Sequence, residues 1–186
     1  MVHRQSSRTI SRRQVISAAI PLALGAVFTR PAFAVQVAEL SRSLSFRHMH
    51  TDEQVTTIYK ARGRYIPNGV AQINHILRDW RTDETVAIDP KLLDMIWDLQ
   101  KILGSRAPVD IVSGYRTQET NEMLASTNPG VAEHSQHLLG KALDFRLADR
   151  TLDKIRKVAV VLRRGGVGYY PRSGFVHVDT GRVRAW

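Results

Sequence analysis

The chain has 186 residues, of which 43% are hydrophobic, and this is enough for one folded domain with a core of its own. It contains no cysteine, which excludes disulfide bonds, thiolate metal sites and cysteine nucleophiles, so any bound metal must be held by imidazole and carboxylate groups. The formal net charge is +10, but no run of basic residues with interleaved aromatic residues is present, and the sequence does not indicate a nucleic-acid-binding module.

The first 34 residues are typical of an export signal. They hold five arginines and no acidic residue, and the rest of the chain has 22 basic and 17 acidic residues. The motif Ser11-Arg12-Arg13-Gln14-Val15 precedes an apolar stretch, and Pro31-Ala32-Phe33-Ala34 has small residues where a signal peptidase cleaves. We expect a twin-arginine signal over residues 1–34, cleavage after Ala34, and a periplasmic domain over residues 35–186 without stable membrane insertion.

The alternative for this segment is an uncleaved membrane anchor. Its apolar stretch, residues 15–28, is shorter than the roughly 20 residues that are needed to span a bilayer. The length therefore favours a cleaved signal.

The first half of the domain predicts a hairpin followed by two amphipathic helices. Polar and apolar residues alternate over residues 43–49 and again over residues 54–59, as in two paired strands. We expect Asn68 to cap the first helix, and Asp89-Pro90 to begin a second helix that ends near Gly104.

The second half predicts four strands and two helices. The strands are expected at residues 109–112, 142–147, 167–170 and 175–179, and the helices from Thr117 and over residues 152–163. Strands in both halves with helices between them predict an α+β fold in which helices flank an antiparallel sheet.

Three segments carry the polar side chains that chemistry requires: residues 113–116, 134–144 and 175–179. Each lies at a strand or in a glycine-containing loop, where scaffolds usually present functional groups. Two imidazoles and one carboxylate from these segments can supply a metal site with three protein ligands and an open position. The candidate ligands are His137, Asp144 and His177.

Each candidate ligand has a structural alternative when it is considered alone. His137 is alternatively a hydrogen-bonded loop histidine, although Gly140 permits a turn that folds it over the strand of Asp144. Asp144 lies in an apolar strand, where a carboxylate must be paired with an arginine or bound to a metal. His177 shares a strand face with Asp179, and that face is alternatively a solvent-facing polar edge.

Together the three segments resemble the zinc D-Ala-D-Ala peptidases of the M15 type, whose fold is shared with hedgehog signalling domains. The residues that carry this resemblance are Ser135-x-His137-x-x-Gly140-x-Ala142-x-Asp144, the preceding Ser113-Gly114-Tyr115-Arg116, and His177 in its valine-flanked strand. More narrowly, residues 44–51, 72–79 and 166–170 resemble the YcbK-like murein endopeptidases, which are exported by a twin-arginine signal. The resemblance extends from about Leu44 to Trp186.

The resemblance implies a zinc ion on His137, Asp144 and His177, and cleavage of the peptide cross-links of peptidoglycan. It also implies that Arg116 and Ser135 line the substrate pocket, with Tyr115 as a further substrate-binding candidate. The guanidinium of Arg116 suits a carboxylate or a developing oxyanion. Its alternative role is a structural ion pair with Glu119, Glu122 or Asp144.

The general base does not follow from the resemblance. Several relatives have a glutamate three residues before the last histidine, where this chain has Gly174. Asp179 is the first substitute, either as the base or as a partner that orients His177, and His134 is the second.

The sequence leaves further alternatives open. The enzyme cuts either the D-Ala to diaminopimelate or the diaminopimelate to diaminopimelate cross-link, or it trims stem peptides as a carboxypeptidase. A zinc-containing domain that binds murein without catalysis is the non-enzymatic alternative, and manganese or iron also suits the ligand set. Oligomeric state is not visible in the sequence.

Structural roles are expected for His48 on the outer face of the hairpin, for His50 and His75, and for Trp80, Trp97 and Trp186 in packing.

Overall fold

The computed structural model describes residues 41–128 and 130–186. The predicted export signal therefore lies outside the described residues. Within the described part of the chain, no helix is long and apolar enough to cross a membrane.

Among the described residues, eight strands form one mixed sheet in the order β3-β2-β1-β4-β5-β7-β6-β8. The strands are β1 Ser41–His48, β2 Gln54–Ala61, β3 Arg64–Tyr65, β4 Val109–Ser113, β5 Ala142–Leu147, β6 Gly166–Tyr170, β7 Phe175–Asp179 and β8 Arg184–Ala185. The prediction of an antiparallel sheet is right for the neighbours β4, β5, β7 and β6, but β1 pairs with β4, and β6 with β8, in parallel. The first parallel pair arises because two helices connect β1–β2 to β4, and such a crossover returns the chain in the same direction.

Four α-helices accompany the sheet in the described part of the chain. They are α1 Pro67–Ile76, α2 Pro90–Leu103, α3 Gln118–Thr127 and α4 Leu152–Leu162, and a short 3-10 helix covers Gln136–Leu139. As predicted, Asp89 caps α2 by accepting from the backbone N–H of Lys91, and Gly104 ends it. The cap predicted for α1 is wrong: the helix begins after Ile66, and Asn68 lies inside its first turn.

The alternation of side chains along the strands separates the core from a polar face. Leu143 and Phe145 of β5 pair with Val178 and Val176 of β7, and all four are buried in the hydrophobic core that α2 and α4 complete. Because successive side chains of a strand point to opposite faces, Asp144 and His177 lie on the other face. The packing of the apolar face thus determines which polar residues meet on the opposite one.

The same alternation in β1 corrects the position predicted for His48. Leu44, Phe46 and His48 share the inner face, and His48 is only 1% exposed rather than on the outer face. Its Nδ1 accepts hydrogen bonds from the backbone N–H groups of His50 and Thr51, so it shapes the turn that follows β1.

Candidate active site

Four strands present a row of residues across the polar face of the sheet. In register the row is Ser113 of β4, Asp144 of β5, His177 of β7 and Gly168 of β6. Directly opposed residues on antiparallel strands have Cβ atoms about 4.5–5.5 Å apart. Strand register alone therefore places the carboxylate of Asp144 beside the imidazole of His177.

The 3-10 helix brings His137 to this pair. Ser135 caps the helix by accepting from the backbone N–H of His137 at 3.3 Å, and Gly140 ends it with a φ of +63°. The Nδ1 atom of His137 lies 2.6 Å from the carbonyl oxygen of Gly114, to which it donates. The ring is thereby turned so that its Nε2 atom faces His177 and Asp144.

Three ligand atoms converge at one point. Nε2 of His137 lies 3.3 Å from Nδ1 of His177 and 3.3 Å from Oδ1 of Asp144, and Nδ1 of His177 lies 2.8 Å from the same oxygen. All three side chains are buried. The outer nitrogen of each ring donates a hydrogen bond, to Gly114 from His137 and to Asp179 from His177, so the inner nitrogen of each ring in its neutral form carries the lone pair that a metal ligand needs. A cation satisfies such an arrangement, and two imidazoles with one carboxylate are a known ligand set for catalytic zinc.

The protonation states follow from the surroundings of each group. Burial disfavours the charged form of His177, but hydrogen bonds to Asp144 and Asp179 outweigh it and raise its pKa to about 9. Burial lowers the pKa of His137, which is neutral at pH 7. Although burial opposes ionisation of Asp144, the neighbouring histidines hold its pKa far below its usual range. Without a metal, His177 therefore carries a proton at neutral pH, and a metal ion must displace it.

Arg116 holds the second oxygen of the candidate carboxylate ligand. Its Nη2 donates to Oδ2 of Asp144 at 2.7 Å, and its Nε donates to Oγ of Ser113 at 2.8 Å. Of the ion-pair partners considered from the sequence, Asp144 is the one that the structure shows. Because Oδ2 is occupied, Oδ1 is left to face the two imidazoles.

Asp179 does not face the site as a general base would. Its Oδ2 accepts from Nε2 of His177 at 3.0 Å and from Arg184 at 2.7 Å, and its Oδ1 accepts from the backbone N–H groups of Gly166 and Gly181. The residue is 0% exposed. We therefore correct the first assignment: with both oxygens occupied and no access to solvent, Asp179 orients the imidazole of His177.

An open cleft of about 840 Å³ lies over the three converging atoms. The predicted residues Arg116, His134 and Ser135 line it. Tyr115 is not among the lining residues; it packs against the core, and its backbone N–H donates to Leu77 at 2.7 Å. The structure thus brings three of the four predicted pocket residues to the cleft.

The cleft also contains residues for which the sequence predicted other roles or none. These are His50, Arg81, Arg172, Arg184 and Trp186, together with the strand aromatics Tyr169 and Tyr170. Trp186, which was expected in packing, is 47% exposed. Most of these residues lie in turns or beside a two-residue strand, where no periodic pattern marks them.

Comparison with known proteins gives concordant matches. The sequence profile of the family described as Peptidoglycan L,D-endopeptidase MepK matches residues 36–186. A relative with that name from Escherichia coli strain K12 is 44% identical over 167 residues, which are 89% of this chain and 91% of the relative. The "Probable peptidoglycan L,D-endopeptidase MepK" of Haemophilus influenzae is 38% identical over 89% of this chain and 90% of its own. No solved structure matches the chain at a significant level.

Proposed function

Since the chain belongs to the Peptidoglycan L,D-endopeptidase MepK family of peptidases, we propose that it is a zinc peptidase that cleaves L,D-peptide cross-links of peptidoglycan. The observation that carries this proposal is the convergence of His137 Nε2, Asp144 Oδ1 and His177 Nδ1 beneath an open cleft. The diaminopimelate to diaminopimelate bond runs from an L-centre to a D-centre, whereas the D-Ala bond begins at a D-centre. The names of the relatives therefore favour the former.

The compartment and the finer fold are parts of the same proposal. The twin-arginine motif within residues 1–34 supports export to the periplasm, where the substrate lies. The motif resemblance supports a topology like that of the D-Ala-D-Ala peptidases and hedgehog domains.

The residues present fit a zinc ion, and each ligand is held by a second group. The Gly114 carbonyl fixes His137, Asp179 fixes His177, and Arg116 fixes Asp144. When bound there, zinc supplies the Lewis acidity that polarises a peptide carbonyl and makes water a nucleophile at neutral pH.

We assign the proton transfers to His134. Apart from Asp144, no carboxylate lines the described part of the cleft, and His134 is an exposed residue of its wall. None of the described residues forms a hydrogen bond with its ring. A histidine in this position is suited to accept a proton from water and deliver it to the leaving amine.

Two arginines at the cleft are suited to bind the free carboxylates of the stem peptides. Neither Arg81 nor Arg172 forms an ion pair with a described acidic residue, and Arg81 stacks on Trp80 at 4.2 Å. We expect Arg172→Ala to raise KM about tenfold with little change in kcat, since a hydrogen bond to a charged group contributes about 1.5–3 kcal/mol. Steady-state kinetics on a cross-linked muropeptide dimer check this. Arg62→Ala, which removes an exposed arginine from the β2–β3 turn, is the control and is expected to leave KM unchanged.

The function is tested by the muropeptide profile of purified peptidoglycan after incubation with residues 35–186. Samples with zinc, with a chelator, and with His137→Ala are compared by chromatography. We expect cross-linked dimers to disappear in the zinc sample alone, and the dimer that is lost identifies the bond. Shortened monomers would instead show a carboxypeptidase, and an unchanged profile with metal bound would show a binding domain.

A further inference from the structure

Strand β8 and the residue that follows it place the side chains of Arg184 and Trp186 beside the candidate metal site. The function proposed above gives neither residue a role. Strand β8 pairs in parallel with β6, through Arg184 opposite Gly166 and Ala185 opposite Val167. Trp186 continues this pairing, since its backbone N–H donates to Val167 and its carbonyl accepts from Tyr169. The segment is therefore held beside β6 by main-chain hydrogen bonds.

Arg184 forms a salt bridge with Asp179, the carboxylate that orients His177. Its Nη2 lies 2.7 Å from Oδ2 of Asp179 and its Nη1 lies 3.1 Å from Oδ1. The two residues therefore form a bidentate salt bridge, and the acid is buried. The same Oδ2 accepts from Nε2 of His177. A side chain at Gly166 would overlap both the guanidinium and this oxygen, so the strand is shaped to admit the pair. Arg184 thus lies two contacts from His177, which is a candidate ligand of the metal.

Trp186 occupies the place beside His177 in the row across the sheet. Gly168 is directly opposite His177, and a Cβ atom there would lie 2.8 Å from the indole ring. The indole centroid is 5.3 Å from that of His177, and its Nε1 donates to the hydroxyl of Tyr170 at 2.8 Å. The guanidinium of Arg184 lies 4.7 Å from the indole centroid. The ring is anchored on one side, and its exposed part lines the cleft.

We propose that Arg184 and Trp186 both belong to the active site, the first by positioning a metal ligand and the second by contacting the substrate. Arg184 is a positioning residue that fixes the ring of His177 through Asp179. Trp186 forms a wall of the cleft that packs against the methylene groups of a diamino-acid side chain bound beside His177. The inference rests on the metal centre proposed above. Arg184 donates hydrogen bonds to both oxygens of Asp179, so the carboxylate stays aligned with Nε2 of His177. Loss of that alignment is expected to lower the affinity for the metal.

Zinc dissociation constants, measured by competition with a chromophoric chelator, test the role of Arg184. We expect Arg184→Ala to weaken zinc binding about 10- to 100-fold, the usual effect of losing a partner of a metal ligand. Arg182→Ala, which removes an exposed arginine two residues away, is the matched control and should bind zinc as the wild type does. If Arg184 acts through Asp179, the double variant with Asp179→Asn will bind zinc no more weakly than Asp179→Asn alone.

Kinetics on a muropeptide dimer test the role of Trp186. We expect Trp186→Ala to raise KM at least about fivefold while zinc affinity stays near that of the wild type, since burying an aromatic side chain contributes roughly 1.5–3 kcal/mol. Trp186→Phe keeps an apolar ring and is expected to recover most of the loss. An unchanged KM in Trp186→Ala would overturn the proposed contact between Trp186 and the substrate.

The outcomes separate this inference from the proposed function. A wild-type protein that does not bind zinc would overturn the metal centre itself. A wild type that binds zinc, together with Arg184→Ala of equal affinity, would overturn only the positioning role. Should Arg184→Ala fail to fold, Arg184→Gln replaces it with a shorter side chain that can still donate a hydrogen bond but has no charge. It is expected to bind zinc several-fold more weakly, and equal affinity would overturn the role in the same way.

Discussion

Asp144→Asn is expected to abolish peptidoglycan cleavage and to weaken zinc binding by at least about 100-fold, the upper end of what loss of an outer partner costs. The carboxylate is both a candidate ligand and the counter-charge of Arg116 and of protonated His177. The amide has the same shape but no charge, and its nitrogen cannot accept a hydrogen bond from Arg116. The variant therefore removes the negative charge while it keeps the volume of the buried side chain.

Zinc retained after dialysis and the loss of cross-linked dimers from peptidoglycan are the measurements. Asp110→Asn is the matched control, because Asp110 is a buried acid on the adjacent strand β4 that pairs with Arg47 and Arg146 away from the cleft. We expect it to lose stability but to keep zinc and activity. Undiminished zinc binding in Asp144→Asn would show that the metal lies elsewhere.

Local patterns in the sequence predicted most elements because they depend only on neighbouring residues. Strands β5 and β7 have the predicted bounds, since the alternation of apolar and polar residues directly reports which face is buried. The start of α2 followed from Asp89-Pro90, whose side chain and ring both favour a helix N-terminus. The direction of pairing between β1 and β4 was not predictable, because it depends on the path of the two intervening helices.

The candidate site shows a similar division. Residue spacing and the family resemblance named His137, Asp144 and His177, and the structure brings these three together. The sequence did not reveal which ring atoms converge, since this depends on the Gly114 carbonyl and on Asp179. It also did not reveal Trp186, because a tryptophan after a two-residue strand reaches the cleft only through pairing with β6. Contacts made by strand order leave no local pattern.

Zinc affinity is expected to rise about tenfold per pH unit between pH 6.5 and 8.5. Each pH unit below the pKa of His177 adds about 1.36 kcal/mol to the free energy needed to remove its proton, and zinc must displace that proton. In the metal-free protein the pKa of His177 is raised from its ordinary 6.5 to about 9. The proton therefore stabilises the metal-free fold fully below pH 6.5, and this contribution is lost as the pH rises through 9. Zinc must displace that proton over the whole range, whereas His137, whose pKa is lowered, competes little.

Two measurements check this pH dependence. Calorimetry at pH 7.5 in buffers of different ionisation enthalpy should show release of about one proton per zinc ion. The rise in Tm on adding saturating zinc should grow with pH by roughly 3–6 °C per unit, since tenfold tighter binding adds about 1.4 kcal/mol. An affinity that does not change with pH would show that His177 is unprotonated in the metal-free protein or is not a ligand.

Asp179→Asn distinguishes the contributions of the two carboxylates, Asp144 and Asp179, that raise the pKa of His177. Removing the charge of Asp179 leaves only Asp144 to stabilise the imidazolium, so the pKa of His177 falls and zinc affinity stops rising at a lower pH than in the wild type. The same variant loses the group that orients the ring, so its affinity at the plateau is also weaker. A lower plateau with an unchanged upper limit of the pH dependence would mean that Asp179 orients the ring without stabilising its proton.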